Sequence, residues 1–356
     1  MREGLGRAGA LPPGPTMRRR DLLLLGTAAA AALPAAARAQ TADWPSRPIR
    51  LVVPFPPGGP SDIFARLLAP HYAAALGQRG LPSGSAGGSG WEPVVVVENR
   101  GGGGGVVGTD AAIRAAPDGY TIALTNGGSL VISPHVSSNV PYRVPEDFSL
   151  ISVATRVPEA LVAHPRHGLR SLAELVARAR REPGRLNIAT AGAGGISHLA
   201  AELLKIQAGV DIAVVPYRGA APAVTDLVAG QVDLLFADLP VLLPQIRAGA
   251  LAALAMASVR RSPSLPEVPT TGEFGYPELL ADNWYCLVGP ARMPEPILAR
   301  LSAAARAASE APAVREALVG LGAESVWTPR EEFAAIVRRE SERWREVAVR
   351  SGARTD

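Results

Sequence analysis

The stretch Ile49-Arg50-Leu51-Val52-Val53-Pro54-Phe55-Pro56-Pro57-Gly58-Gly59-Pro60-Ser61-Asp62 decides the fold. Its first six residues form a short apolar run, which predicts a buried strand. The proline–glycine run that follows must break it. Ser61-Asp62 then reads as a helix N-cap, because Ile63, Phe64, Leu67 and Leu68 follow at helical spacing. Pro70 is expected to kink or interrupt that helix. Strand, glycine loop and helix start in this order are the unit from which open α/β sheets are built.

The unit recurs along the chain. Strands are expected at 94–97, 120–125, 151–153, 160–163, 186–189, 213–215, 232–236, 251–257 and 284–288. Helices are expected near 109–116, 172–180, 197–207, 222–229, 295–308, 312–320 and 330–350. Residues 79–92, rich in Gly and Ser, read as a surface loop. The strands are too many for one small sheet and show no periodic repeat. The expected fold class is therefore α/β, two doubly wound lobes of parallel sheet with a central cleft.

In such folds ligands gather at the carboxyl ends of strands. The loops there are 56–62, 126–129, 190–197, 216–221 and 237–240, rich in Gly, Ser and Thr and nearly free of side-chain charge. Pro57-Gly58-Gly59-Pro60-Ser61 and Gly194-Gly195-Ile196-Ser197 each stand before a helix. A helix N-terminus offers unpaired N–H groups and the positive end of a dipole, and glycine lets a carboxylate approach that backbone. Either loop alone could be no more than a tight turn; several together at equivalent strand ends favour anion binding.

Other chemistry is poorly supplied. Gly103-Gly104-Gly105-Val106-Val107-Gly108 satisfies G-x-G-x-x-G, but a run of five glycines meets that pattern cheaply. The next strand ends in Asn126 rather than an acid for a ribose, so the run is assigned to tight helix-on-sheet packing and no cofactor is expected. Gly195-Ile196-Ser197-His198-Leu199 misses the last glycine of a nucleophile elbow. His164-Pro165-Arg166-His167 looks like a metal pair without a nearby acid, so no metal site and no catalytic residue are expected. Glu174, Glu331, Glu340 and Glu342 read as solvated helix faces.

Charge points to export. The sequence pI is near 9.6, yet residues 1–39 hold six arginines and two acids, a net of +4 that equals the whole chain's +4. The remainder is formally neutral, which argues against nucleic acid. Met17-Arg18-Arg19-Arg20, the apolar run from Leu22 to Leu33 and Ala37-Arg38-Ala39 form a signal-peptide pattern over 1–39, with Met17 as the expected start. The run is short for a membrane span. Arg19-Arg20-Asp21-Leu22-Leu23 has twin-arginine character, which leaves both Sec and Tat routes open. Cys286 is the single cysteine, so no intramolecular disulfide can form. A soluble periplasmic monomer is expected.

Several ordered segments carry a family likeness. They are Trp44-Pro-Ser-Arg-Pro-Ile-Arg-Leu-Val-Val-Pro-Phe55, Val95-Val-Val-Glu-Asn-Arg100 and Ala116-Pro-Asp-Gly-Tyr-Thr121. Val215-Pro-Tyr-Arg-Gly219, Gly230-Gln-Val-Asp-Leu234 and Arg261-Ser-Pro-Ser-Leu-Pro-Glu-Val-Pro-Thr270 follow. The chain resembles the substrate-binding proteins of tripartite tricarboxylate transporters, the Bug family, themselves similar to type II periplasmic binding proteins. The resemblance implies a solute-binding protein, not an enzyme, with lobe I at 40–149 plus 283–356 and lobe II at 150–282. It would close on a small organic carboxylate and dock on a membrane permease; a sensor ectodomain is the alternative partner.

By the same resemblance the lobe I contacts would be Phe55, Pro57, Gly58, Gly59, Ser61, Asp62, Gly128 and Ser129. Those of lobe II would be Thr190, Ser197, His198, Tyr217, Gly219 and Asp238. Asp62 is better suited to capping its helix than to touching an anion. Phe236-Ala237-Asp238 stands where the family often has Phe-Asp-Asn. An acid there could repel a second carboxylate, or accept from an amine or hydroxyl.

Overall fold

The computed structural model describes residues 44–77 and 92–355. The expected export signal, 1–39, lies outside the described residues, as does the expected loop at 79–92 except for Glu92. The described residues from Pro45 onward pack as one compact unit, inside which hydrogen bonding divides the strands between two sheets.

The first sheet is built around β1 (Ile49–Val53). It pairs parallel with β2 (Val95–Asn99) on one side and β3 (Thr121–Asn126) on the other. Beyond β3 the order continues through β9 (Asp282–Pro290) to β4 (Phe148–Ala163), each pairing antiparallel with the last. The two-residue β10 (Glu324–Ser325) adds antiparallel to β4.

The second sheet begins on the same strand. β4 pairs antiparallel with β7 (Leu234–Asp238) and β8 (Ala252–Met256). β7 pairs parallel with β5 (Asn187–Thr190), and β5 with β6 (Ala213–Pro216). Both sheets are therefore mixed, which corrects the expectation of purely parallel ones.

β4 corrects a second expectation. The two short strands expected at 151–153 and 160–163 are one strand of 16 residues. Between them lies Pro158, which cannot donate to a ladder. Here it sits at the joint: pairing with β9 ends at Pro158–Asp282 and pairing with β7 starts at Glu159–Asp238. A residue without an N–H costs little where a strand changes partners.

The first helix, α1 (Pro60–Gly77), runs through Pro70 without interruption. Phe64, Ala65, Leu68, Ala69, Tyr72, Ala75 and Leu76 are buried along it. Burial on both sides of Pro70 outweighs the roughly 3 kcal/mol that an interior proline costs. After it come α2 (Val106–Ile113), α3 (Ser133–Val136), α4 (Leu172–Arg181) and α5 (Ile196–Ala208). α6 (Ala220–Val228), α7 (Leu239–Arg247), α8 (Glu295–Glu310), α9 (Pro312–Gly320) and α10 (Arg330–Ser351) complete the set among the described residues. α7 was not expected; Pro240 and Pro244 hide it, although Pro240 stands in its first turn, where proline is tolerated.

Candidate functional site

The loops after β1, β5 and β6, and the last residues of β3 and β7, meet over the joint of β4. They enclose a cleft of about 580 Å³, mouth included. Of the expected contacts, Phe55, Pro57, Gly59, Ser61, Ser197, Gly219 and Asp238 line it.

Three helices open onto the cleft. Gly59-Pro60-Ser61 starts α1, Gly195-Ile196-Ser197 starts α5, and Gly219-Ala220-Ala221-Pro222 starts α6. First-turn N–H groups have no partner within their own helix and carry the positive end of its dipole. Gly219, with φ at 147°, takes a backbone conformation closed to other residues, and an added Cβ would lie 3.5 Å from Pro56. The Ser197 hydroxyl accepts from the Ala191 N–H at 2.9 Å, which leaves its own proton free to donate.

The glycine run has two uses. Gly108 packs helix on sheet as expected, since a Cβ there would sit 2.3 Å from the Arg100 carbonyl oxygen. Gly104 lines the cleft, against that expectation, and a Cβ on it would meet the Ala193 carbonyl oxygen at 2.7 Å.

The other expected residues spend their polar atoms on the loops. The Asp62 carboxylate accepts from the Gly58 N–H at 3.0 Å and pairs with Arg66 at 2.9 Å. Burial pushes its pKa up, but hydrogen bonds from Arg66, Gly58 and Asn99 outweigh this and hold it below the usual range. Ser129 donates to the Gly104 carbonyl and to Asn126, both at 3.2 Å. His198 Nδ1 accepts from the Gly194 N–H at 3.0 Å, and burial lowers its pKa. Tyr217 donates to Asp226 at 2.7 Å, and Thr190 to the Gly192 carbonyl at 3.5 Å. Gly58, Asp62, Gly128, Ser129, Thr190, His198 and Tyr217 are not among the lining residues.

The structure adds residues that sequence reading missed: Asn126, Glu159, Asn283 and Tyr285. Glu159 and Asp238 are register partners on β4 and β7, so their side chains share one face. They are 1% and 5% exposed. Asp238 accepts from Asn283 Nδ2, 3.1 Å from each carboxylate oxygen, and from the Tyr285 hydroxyl. Desolvation still raises its pKa to about 6, against the lowering effect of those donors. Glu159 Oε2 is buried without a hydrogen-bond partner. Desolvation, then the charge of Asp238, push its pKa well above the usual carboxylate range. Among the described residues the lining contains no Arg, Lys or His.

The histidine pair near residue 165 does meet an acid, because the fold brings Asp233 to it. His167 Nε2 lies 2.8 Å and Arg166 Nη2 lies 2.5 Å from Asp233 Oδ1. The cluster is an ion-pair network, and no group of metal-ligating residues occurs among the described residues. No helix among them is long and apolar enough to cross a membrane.

A family described as tripartite tricarboxylate transporter family receptor matches residues 91–352. Protein BugT of Bordetella pertussis is 37% identical over 312 residues, 87% of this chain and 91% of BugT. The structure of the periplasmic binding protein BugD superposes with a TM-score of 0.79 at 32% identity, over 88% of this chain and 100% of that one. MatC of Rhodopseudomonas palustris, solved with bound malate, gives 0.77 at 32% identity, over 85% of this chain and 99% of that one.

Proposed function

Because the chain belongs to the tripartite tricarboxylate transporter family of receptors, we propose that it is a periplasmic solute-binding protein that captures a small organic carboxylate and delivers it to a membrane permease. The convergence of three helix N-termini on one cleft carries this reading. Each supplies backbone N–H groups and a favourable dipole without a charged clamp, and Ser61 and Ser197 add hydroxyls. The malate seen in MatC carries the carboxylate group that such helix N-termini would hold.

The work proposed for the fold is binding and closure, not catalysis. Lobe I is taken as 40–149 plus 283–356 and lobe II as 150–282. The hinges then fall near 281–285, at the start of β9, and in β4, where the expected 149–152 gives way to the change of partner at Pro158–Glu159. The contact set proposed for the ligand is Phe55, Pro57, Gly59, Ser61, Ser197, Gly219 and Asp238. Around it Gly58, Asp62, Gly128, Ser129, Thr190, His198 and Tyr217 shape the loops. Affinity capture with ligand-loaded protein tests the partner. Recovery of a multi-span permease supports delivery; recovery of a sensor ectodomain in its place would overturn it.

A further inference from the structure

The cleft has two unlike walls. One is the set of helix N-termini, suited to an anion. The other is the pair Glu159 and Asp238, directly opposed across β4 and β7. Opposed like charges destabilise a strand pair, and burying an acid without a donor is costly. Asp238 is provided for by Asn283 and Tyr285. Glu159 is not: its Oε2 has no partner, its side chain faces the cleft, and no positive residue among the described residues lines the site to offset it. The titratable groups of the lining are Glu159 from β4, Asp238 from β7 and Tyr285 from β9.

An uncompensated acid aimed into a ligand cleft requires a partner on the ligand. A dicarboxylate would bring a second negative charge against two acids. A molecule with one carboxylate and one protonated nitrogen would satisfy both walls and add no net charge. Resting on the carboxylate reading above, we propose that this chain takes a zwitterionic monocarboxylate, whose ammonium group sits between Glu159 and Asp238 while its carboxylate meets the helix N-termini.

The test is calorimetry on matched pairs: β-alanine against succinate, γ-aminobutyrate against glutarate, and alanine against lactate. At pH 7.5 the amino member of at least one pair should bind roughly tenfold tighter or more. Glu159→Gln should abolish most of that preference while the protein still unfolds cooperatively and at a temperature no lower than the parent's. Asp238→Asn, which keeps the shape beside Asn283, should do the same. A diacid that binds more tightly, with affinity rising as pH falls from 8 to 5, would overturn the proposal, because Glu159 would then act as a protonated donor. If a carboxylate binds with no preference for nitrogen, the proposal fails and the carboxylate reading stands. If none binds, both fail.

Discussion

Asn283 Nδ2 lies 3.1 Å from each carboxylate oxygen of Asp238, so one side-chain amide from β9 spans an acid at the end of β7. The Asn283 carbonyl in turn accepts from the Trp284 N–H at 2.9 Å, which fixes the amide's orientation. Asn283→Ala should cost about 2 kcal/mol at pH 7.5, the scale of a lost hydrogen bond to a charged group. The loss should shrink at pH 5, because Asp238, with its pKa raised to about 6, is then neutral. Urea unfolding at the two pH values measures both; an equal loss at both would remove the charge from the explanation.

The acid pair sets a pH dependence of the unliganded protein. Both Glu159 and Asp238 hold protons more tightly folded than unfolded. For Asp238 the native state carries the extra proton between about pH 4 and pH 6, so stability falls as pH rises through that window, and Glu159 adds a fall of the same sign. Glu159→Gln should flatten the fall and raise the melting temperature at pH 7.5 by roughly 2–5 °C. A variant that melts lower than the parent at pH 7.5 would mean that the ionised acid is compensated in a way the structure does not show.

Asp62 has the opposite sign. Its pKa is lowered in the folded state, so its stabilisation is present above the ordinary carboxylate pKa and lost as pH falls through the lowered one. Asp62 stands in the first turn of α1 and not at the expected cap, so Asp62→Ala should cost about 1 kcal/mol at neutral pH, the scale of a lost hydrogen bond to the Gly58 N–H, and weaken ligand binding through the Gly58 loop. Arg66→Ala should do much less, because that partner is exposed. Intact stability with binding lost would make Asp62 a direct ligand.

Ser197→Ala should weaken carboxylate binding by about 1–2 kcal/mol. It removes a donor at the start of α5 and the acceptor of the Ala191 N–H. Titration calorimetry on the folded variant measures the change, and an unaltered dissociation constant would take Ser197 out of the site.

The loop half of the site was legible because glycine, proline and hydroxyl residues mark strand ends by their own backbone chemistry. That chemistry marks the loops that hold Gly59, Ser61, Ser197 and Gly219; the individual contacts, Phe55 among them, were implied by the family resemblance, and all five reach the cleft. Asp238 was noticed as an acid in place of an amide. The opposite wall was hidden. Glu159 follows Pro158 inside what reads as a broken strand, and only the switch of β4 between sheets brings it opposite Asp238. Asn283 and Tyr285 belong to an apolar run that reads as buried strand, and nothing local says that their polar ends face a cavity. Mixed sheet direction was missed for a related reason: strand–helix order suggests parallel pairing, whereas β9 returns from far along the chain to lie antiparallel between β3 and β4.

The central claim is that the cleft holds a carboxylate, and thermal unfolding of the purified protein against organic acids, amino acids, neutral sugars and nucleotides tests it most directly. A ligand that binds only the native state stabilises it by about 2.7 kcal/mol at a hundred times its dissociation constant. A carboxylate-bearing compound should therefore raise the melting temperature progressively with concentration, and Ser197→Ala should shift that response to higher concentration. Stabilisation by neutral sugars or nucleotides alone would contradict the account.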